Sequence, residues 1–379
     1  MHIRHSAFHW PIVYRRFLSP VIVAIALALL PSVISGQRDD RKTLTSDKTP
    51  TPSRTAWGHP DLQGNWTAAT LTPLERPESA HGKLVLTKAE AEAIARTERE
   101  RNEADARPSD PNRAAPAAGG SVGGYNQFFF DRGSSSVMVG GEYRSSIIIE
   151  PADGKIPPMT AEGQARDDAL GGRTARPDVV ERVRRGQDQA QGEPEALFEN
   201  PEQRPLAERC ILGFGWTSGT PMLPNYNYNN GKQIVQTPDT VVIFAEMVHD
   251  ARIVRLNGQH LPPQIRVWKG DSIGHWDGDT LVVETTNFTD KTRFQGSSEH
   301  LKVTERFRRV NENAILYRFT VEDSSTWQRP WGGEYMWEKS DEPLYEYACH
   351  EGNYALVDIM RGARHRDAQQ ATEGAGKTK

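Results

Sequence analysis

The sequence predicts a mainly β protein: an antiparallel meander forming a barrel or strongly curved sheet, lipocalin-like in one version, with peripheral helices. Short runs from residue 233 onward alternate apolar and polar residues. In 314–322, Ile315, Tyr317, Phe319 and Val321 fall on one face, and Leu316, Arg318 and Thr320 on the other. Asn230-Gly231, Asn257-Gly258 and Asp277-Gly278 punctuate these runs as type I′ hairpin dipeptides. Many strands joined by hairpin-length links close into a barrel or curl strongly. The absence of an internal repeat argues against a propeller or solenoid.

In chain order, residues 1–36 read as an export signal. Arg4, Arg15 and Arg16 supply positive charge, and 20–33 supply an apolar core of about fourteen residues, short of the ~20 a spanning helix needs. Residues 37–56 read as a flexible linker rich in Pro, Ser and Thr, and a single β-rich domain is expected over 57–366. Its first strand is at 61–67, where Gly64-x-Trp66 is of the kind that plugs a lipocalin-type barrel. A helix follows over 87–104, opened by the Thr87/Glu90 capping box. Residues 108–124 should be a loop. The Gly119-x-Ser121-x-Gly123 within it lacks the preceding apolar strand and following helix of a nucleophile elbow. Strands are expected at 125–131, 135–140 and 143–150. Short helices at 160–170 and 178–185 lie in a polar stretch, so 87–120 and 160–209 are read as helical and loop insertions. The β pattern then gives strands at 240–246, 251–256, 264–268, 272–276, 280–287, 301–310, 314–322, 334–338 and 345–349. A helix capped by Asn353 runs over 354–364, and 367–379 form a polar tail.

The chain has 379 residues with 46 basic against 50 acidic side chains, a net charge of −4, which disfavours a nucleic-acid partner. No second long apolar run follows the signal, so no stable membrane insertion is expected once it is removed. The sequence leaves the oligomeric state open. Its two cysteines, Cys210 and Cys349, are expected to pair in an exported protein. In the chain-entropy picture, closing that loop removes roughly 4–5 kcal/mol of unfolded-state freedom.

Several phrases are recognisable together: residues 144–160 (RSSIIIEPADGKIPPMT), 236–242 (QTPDTVV), 246–252 (EMVHDAR), 274–288 (GHWDGDTLVVETTNF) and 347–354 (YACHEGNY). Through them the chain resembles a large family of exported bacterial proteins of unassigned function, over most of its length from Trp57 to Arg364. The resemblance implies a bacterial source and export, periplasmic or secreted, and carries over no catalytic residues.

Candidate chemistry therefore rests on residue type and spacing. His249-Asp250-x-Arg252 suits acid–base work, with Arg252 able to hold a substrate anion. His275 lies opposite in facing to Trp276 and could point inward. Glu284 interrupts an apolar run and must be paired if its face is interior. His350 and Glu351 follow Cys349, and a disulfide would pin them near Cys210. Asp277 and Asp279 are explained by a hairpin, and the calcium-loop pattern fails at Ile273 and His275. No His-Glu-x-x-His or Cys-x-x-Cys signature occurs, so no cofactor is expected, a divalent metal being the minor alternative. The late aromatics, Trp327, Trp331, Tyr335, Trp337, Tyr345 and Tyr347, are read as packing rather than as a stacking platform. The leading expectation is a small-molecule hydrolase or lyase in a barrel cavity. The alternatives are a non-catalytic lipocalin-type binder of a small ligand and a structural envelope protein.

Overall fold

The structure is a computed structural model, which describes residues 53–107, 112, 114, 130–169, 200–204, 206–213, 216–224 and 228–376. The expected signal, most of the expected linker, the Gly-x-Ser-x-Gly stretch, the 125–129 part of one expected strand and the expected 178–185 helix lie outside these residues. The strands and helices all belong to the unit beginning at residue 48.

The strands are β1 (Gly64–Thr67), β2 (Val85–Leu86), β3 (Met138–Val139), β4 (Glu142–Arg144), β5 (Ile148–Glu150), β6 (Gly231–Gln236), β7 (Thr240–Ala245), β8 (Asp250–Leu256), β9 (Asp271–Asp277), β10 (Thr280–Thr286), β11 (Lys302–Asn311), β12 (Ala314–Glu322) and β13 (Trp331–Lys339). The helices are α1 (Lys88–Asp105), α2 (Ala161–Ala169) and α3 (Ala355–Gly376). β1 and β6 to β13 form a nine-strand barrel that β1–β13 pairing closes, and β5 takes the remainder of the β13 edge. β2, β4 and β3 form a separate small sheet.

The meander is antiparallel at every junction but one, since β8 and β9 run parallel. A closed ring with an odd number of strands cannot alternate direction throughout, so nine strands require such a pair. Consequently Asn257-Gly258 opens a crossover over 257–270 rather than a hairpin, and the expected strand at 264–268 reduces to one bridge, Val267 to Phe288. The 277–280 hairpin is present with Gly278-Asp279 as its loop. Only Gly278 of the two has a positive φ, the type II′ pattern rather than I′. Asn230-Gly231 makes no hairpin, because Gly231 opens β6.

Two other expectations change. Residues 345–349 form no strand, since closure leaves β13 without a free edge at that end. α3 runs on through the expected polar tail to Gly376, and the Asn353 amide donates to the Glu208 carbonyl. The Thr87/Glu90 capping box of α1 forms as expected.

Alternate residues of each strand fill the barrel. Tyr317 lies against Phe307, Tyr335 and Trp337 with ring centroids 5.0–5.3 Å apart, and Trp331 against Trp327 and Phe294 at 5.7 and 5.9 Å. Trp66 is buried in the same core and donates its indole N–H to the Leu62 carbonyl. The segment at 216–223 enters the interior, where the Met222 N–H donates to the Tyr317 hydroxyl and the Tyr335 hydroxyl donates to the Met222 carbonyl. Trp327, Trp331, Tyr335 and Trp337 are thus packing residues, whereas Tyr345 is exposed. An aromatic core threaded by a loop occupies the space that a lipocalin leaves for ligand.

Candidate functional site

The β7–β8 turn, the segment around Cys210 and the stretch 346–351 meet at the barrel end where β1 finishes and β6 begins. They line a recess of about 320 Å³, within the usual size range of small-molecule pockets. The Cys210–Cys349 disulfide joins two of its walls across 139 residues. Gly213 approaches the Met247 thioether too closely for a side chain, which seats the Cys210 segment on the turn.

Three non-glycine residues of this recess, Cys210 (φ 57°), Val248 (φ 68°) and His249 (φ 50°), occupy the left-handed region. For a β-branched residue such as Val248 this is a clear outlier. Each such residue costs on the order of 1–3 kcal/mol and persists only where its surroundings enforce it. The roughly 4–5 kcal/mol of chain entropy that the disulfide removes is of the same order as that strain. The backbone constrained in this way places His249 in the recess lining.

His249 is exposed, and its Nδ1 accepts the Tyr347 N–H at 3.1 Å. In the neutral ring the proton therefore sits on Nε2, which faces outward as a donor. His350 and Glu351 line the same recess with exposed side chains, and Glu346 adds a second carboxylate. The structure thus brings together His249, His350 and Glu351, with Cys210 and Cys349 as their staple.

Arg252, His275 and Glu284 stand apart. Arg252 points into the barrel, where it is 6 % exposed and forks onto Glu305 at 2.6 and 3.2 Å; it also donates to the Thr220 hydroxyl at 3.0 Å. Its two terminal nitrogens are committed to a structural pair, so it does not serve as an anion anchor beside His249. His275 faces solvent, not the interior, because the inward positions of β9 are Ser272 and Gly274. Glu284 lies on the outer face, where Lys302 at 2.5 Å holds its carboxyl below the ordinary range and His260 approaches at 3.3 Å.

The chain matches no protein-family model, no curated protein and no solved structure. The site therefore has to be read from its own geometry. Among the described residues no group of three or more His, Cys, Asp or Glu side chains could hold a metal ion. No described helix is long and apolar enough to cross a membrane.

A second histidine cluster has no counterpart among the sequence expectations. The His260 Nδ1 lies 2.9 Å from Asp271, whose carboxylate also takes two bonds from Arg255 and one from the Leu261 N–H. Burial pushes the Asp271 pKa up, but these donors together outweigh it and hold it at about 2. The cluster fastens the 257–270 crossover to β9. Its signal in the sequence is only a carboxylate opening a strand, since the parallel crossover that delivers His260 has none. Asp271 favours folding above an unfolded-chain pKa of about 4, and this contribution is lost as pH falls through 2. Asp271→Asn is expected to lower the unfolding free energy at pH 7 by about 2 kcal/mol. Urea titration checks this, and a change below about 0.5 kcal/mol would show the crossover to be held by other contacts.

Proposed function

We propose that this protein is an exported, periplasmic or secreted, small-molecule hydrolase or lyase working by acid–base chemistry in the recess at the barrel end. The observation that carries the reading is the convergence of three left-handed non-glycine residues on one pocket that also presents two imidazoles and two carboxylates. Strain of this kind clusters at active sites, where the surrounding structure enforces it. The disulfide agrees with an oxidising compartment and with the resemblance to exported bacterial proteins.

The roles follow from the hydrogen bonds. His249, its Nδ1 engaged by the Tyr347 N–H, donates Nε2–H to a substrate oxygen as charge develops there. His350 makes no side-chain hydrogen bond among the described residues and is free to take and return a proton. Glu351 and Glu346 supply the carboxylates that orient it or accept substrate hydroxyls. No cofactor enters this scheme.

Turnover of a broad mixture of small metabolites by wild type, His249→Ala and His350→Ala tests it. Both histidines are exposed, so both variants should keep the wild-type melting temperature. His350→Ala is expected to lose on the order of 10²-fold or more in turnover, the usual contribution of a positioned general base. Unchanged turnover in both variants would remove the assignment. A second reading is favoured by the open, water-accessible setting of both imidazoles: a binding site without chemistry. Saturable ligand binding without turnover would select it.

A further inference from the structure

A second depression, of about 260 Å³, lies on the outer face of β11, β12 and β13 beside the edge strand β5. Its floor is bare because Gly332 carries no side chain, and none fits there: a Cβ would collide with the Phe319 carbonyl. Gly332 stands in register with Thr320 on one side and Glu150 on the other. The next rungs set Thr304 opposite Thr320 and Arg306 directly opposite Arg318. Two like charges facing each other across a strand pair destabilise a sheet unless something lies between them.

Most donors of this groove are unspent. Arg306 is exposed and makes no ion pair or side-chain hydrogen bond among the described residues, and the Thr304 and Thr320 hydroxyls are likewise free among them. Arg318 is held in place through Nε, which donates to the buried Glu334 at 2.6 Å, and its terminal nitrogens remain available. Glu334 also takes Arg144 at 3.2 Å, so its charge is matched twice. Glu284 of β10, in register with Thr304, is held by Lys302 and His260. Arg306 is therefore the positive charge of the groove left without a carboxylate among the described residues, while Glu150 stands across the bare strip as an acceptor with no partner of its own among them.

We propose that this groove binds a hydroxylated organic anion, its carboxylate or phosphate seated between Arg306 and Arg318 and its hydroxyl groups donating to Glu150. Guanidinium forks match the planar oxygens of such groups. The threonine hydroxyls complete the oxyanion's coordination. Glu150 repels a bare anion and rewards one that carries hydroxyls, so the groove selects a sugar acid or sugar phosphate over an inorganic ion. The site is separate from the recess and does not depend on the reading given there.

Isothermal titration with glucuronate, glucose 6-phosphate, glucose and inorganic phosphate tests this on the wild type, Arg306→Ala, Glu150→Gln and His350→Ala. Saturable binding of at least one sugar anion is expected, and the stronger of the two tells whether carboxylate or phosphate is preferred. Glucose should give no signal, and phosphate should bind at least tenfold more weakly. Arg306→Ala should weaken the sugar anion by roughly tenfold or more at an unchanged melting temperature. Glu150→Gln should narrow the gap between sugar anion and phosphate, and His350→Ala, altered only in the separate recess, should bind the sugar anion in this groove as the wild type does. Failure of both sugar anions to bind, or equal affinity in Arg306→Ala, would overturn the site. Phosphate binding as tightly as the sugar anions would overturn the role of Glu150 and with it the proposed class of ligand.

Discussion

Replacing Glu305 by leucine is expected to lower the unfolding free energy by about 3–5 kcal/mol, the cost of stranding one member of a buried ion pair. Glu305 is fully buried inside the barrel and Arg252 nearly so, and the carboxylate accepts both guanidinium arms and the Tyr317 hydroxyl at 2.7 Å. Burial and the adjacent Glu305 raise the Tyr317 pKa far above its usual value, so the phenol stays a donor. Removing the carboxylate leaves a guanidinium and a hydroxyl in a low-dielectric core. Arg252→Met should cost a similar amount for the mirror-image reason. The double variant Arg252→Met, Glu305→Leu should recover more than half of the loss, because packed apolar groups replace a buried pair at little net cost. Guanidinium unfolding of the four proteins closes this cycle. Additive losses, or single losses below about 1 kcal/mol, would show that the two groups do not act as a pair.

The second large effect belongs to Lys232. Its side chain is completely buried on the inner face of β6, where the ammonium donates to the Gly231 carbonyl at 3.4 Å. Burial lowers its pKa from 10.5 to about 7, while Glu246 and Asp131 pull it back up. Below pH 7 both folded and unfolded chains carry the proton, and the burial penalty is complete. Between pH 7 and 10.5 the unfolded chain binds more protons than the folded one, so stability rises with pH. The shift corresponds to a penalty of about 4 kcal/mol at pH 7, about half of which should disappear by pH 9. Wild type is therefore expected to gain about 2 kcal/mol from this group between pH 7 and 9, and Lys232→Met should lack that gain. Burial also depresses Lys269, to about 8, but Asp250 lies against its ammonium, and whatever slope it contributes is common to both proteins. The difference between their slopes thus isolates Lys232, and identical pH profiles would refute the assignment. At pH 7 the methionine variant should also be the more stable by on the order of 2 kcal/mol, since Glu246 and Asp131 lose a countercharge.

Signals in the chain are legible where a rule acts within a few residues. The capping box of α1 involves residues three apart, and it forms. The alternation over 314–322 gives β12 at the expected bounds, because a period of two is a property of the strand itself. The pairing of Cys210 with Cys349 is what their number implies in a chain expected to be exported. The sequence nominates His249, His350 and Glu351 for the same site because the disulfide would carry the last two toward Cys210, and they do line one recess. Reading Asp277 and Asp279 as turn residues also agrees with the structure, where Asp279 is held by Arg54 at 2.6 Å.

Other assignments fail because facing and partnership are not local. A one-residue difference along β9 decides whether His275 enters the barrel or the solvent. The same parity puts Arg252 inside, where Glu305 from a strand more than fifty residues away takes both of its arms. Both outcomes depend on which strands neighbour which. The parallel β8–β9 pair is invisible in the sequence because no dipeptide encodes it; it follows from the strand number of the closed ring. The left-handed Val248 likewise has no sequence signature, since valine is among the residues least suited to that conformation.

What the sequence determined by itself is the class of architecture, the disulfide, and a short set of polar residues worth following, because periodicity, turn chemistry and cysteine number act locally or by count. The tertiary structure alone decided that the barrel is full, that the recess lies at its end, and that Arg306 and Arg318 face each other across its outer surface. Each of these depends on side chains from distant strands meeting, and closure of the barrel is what sets those meetings.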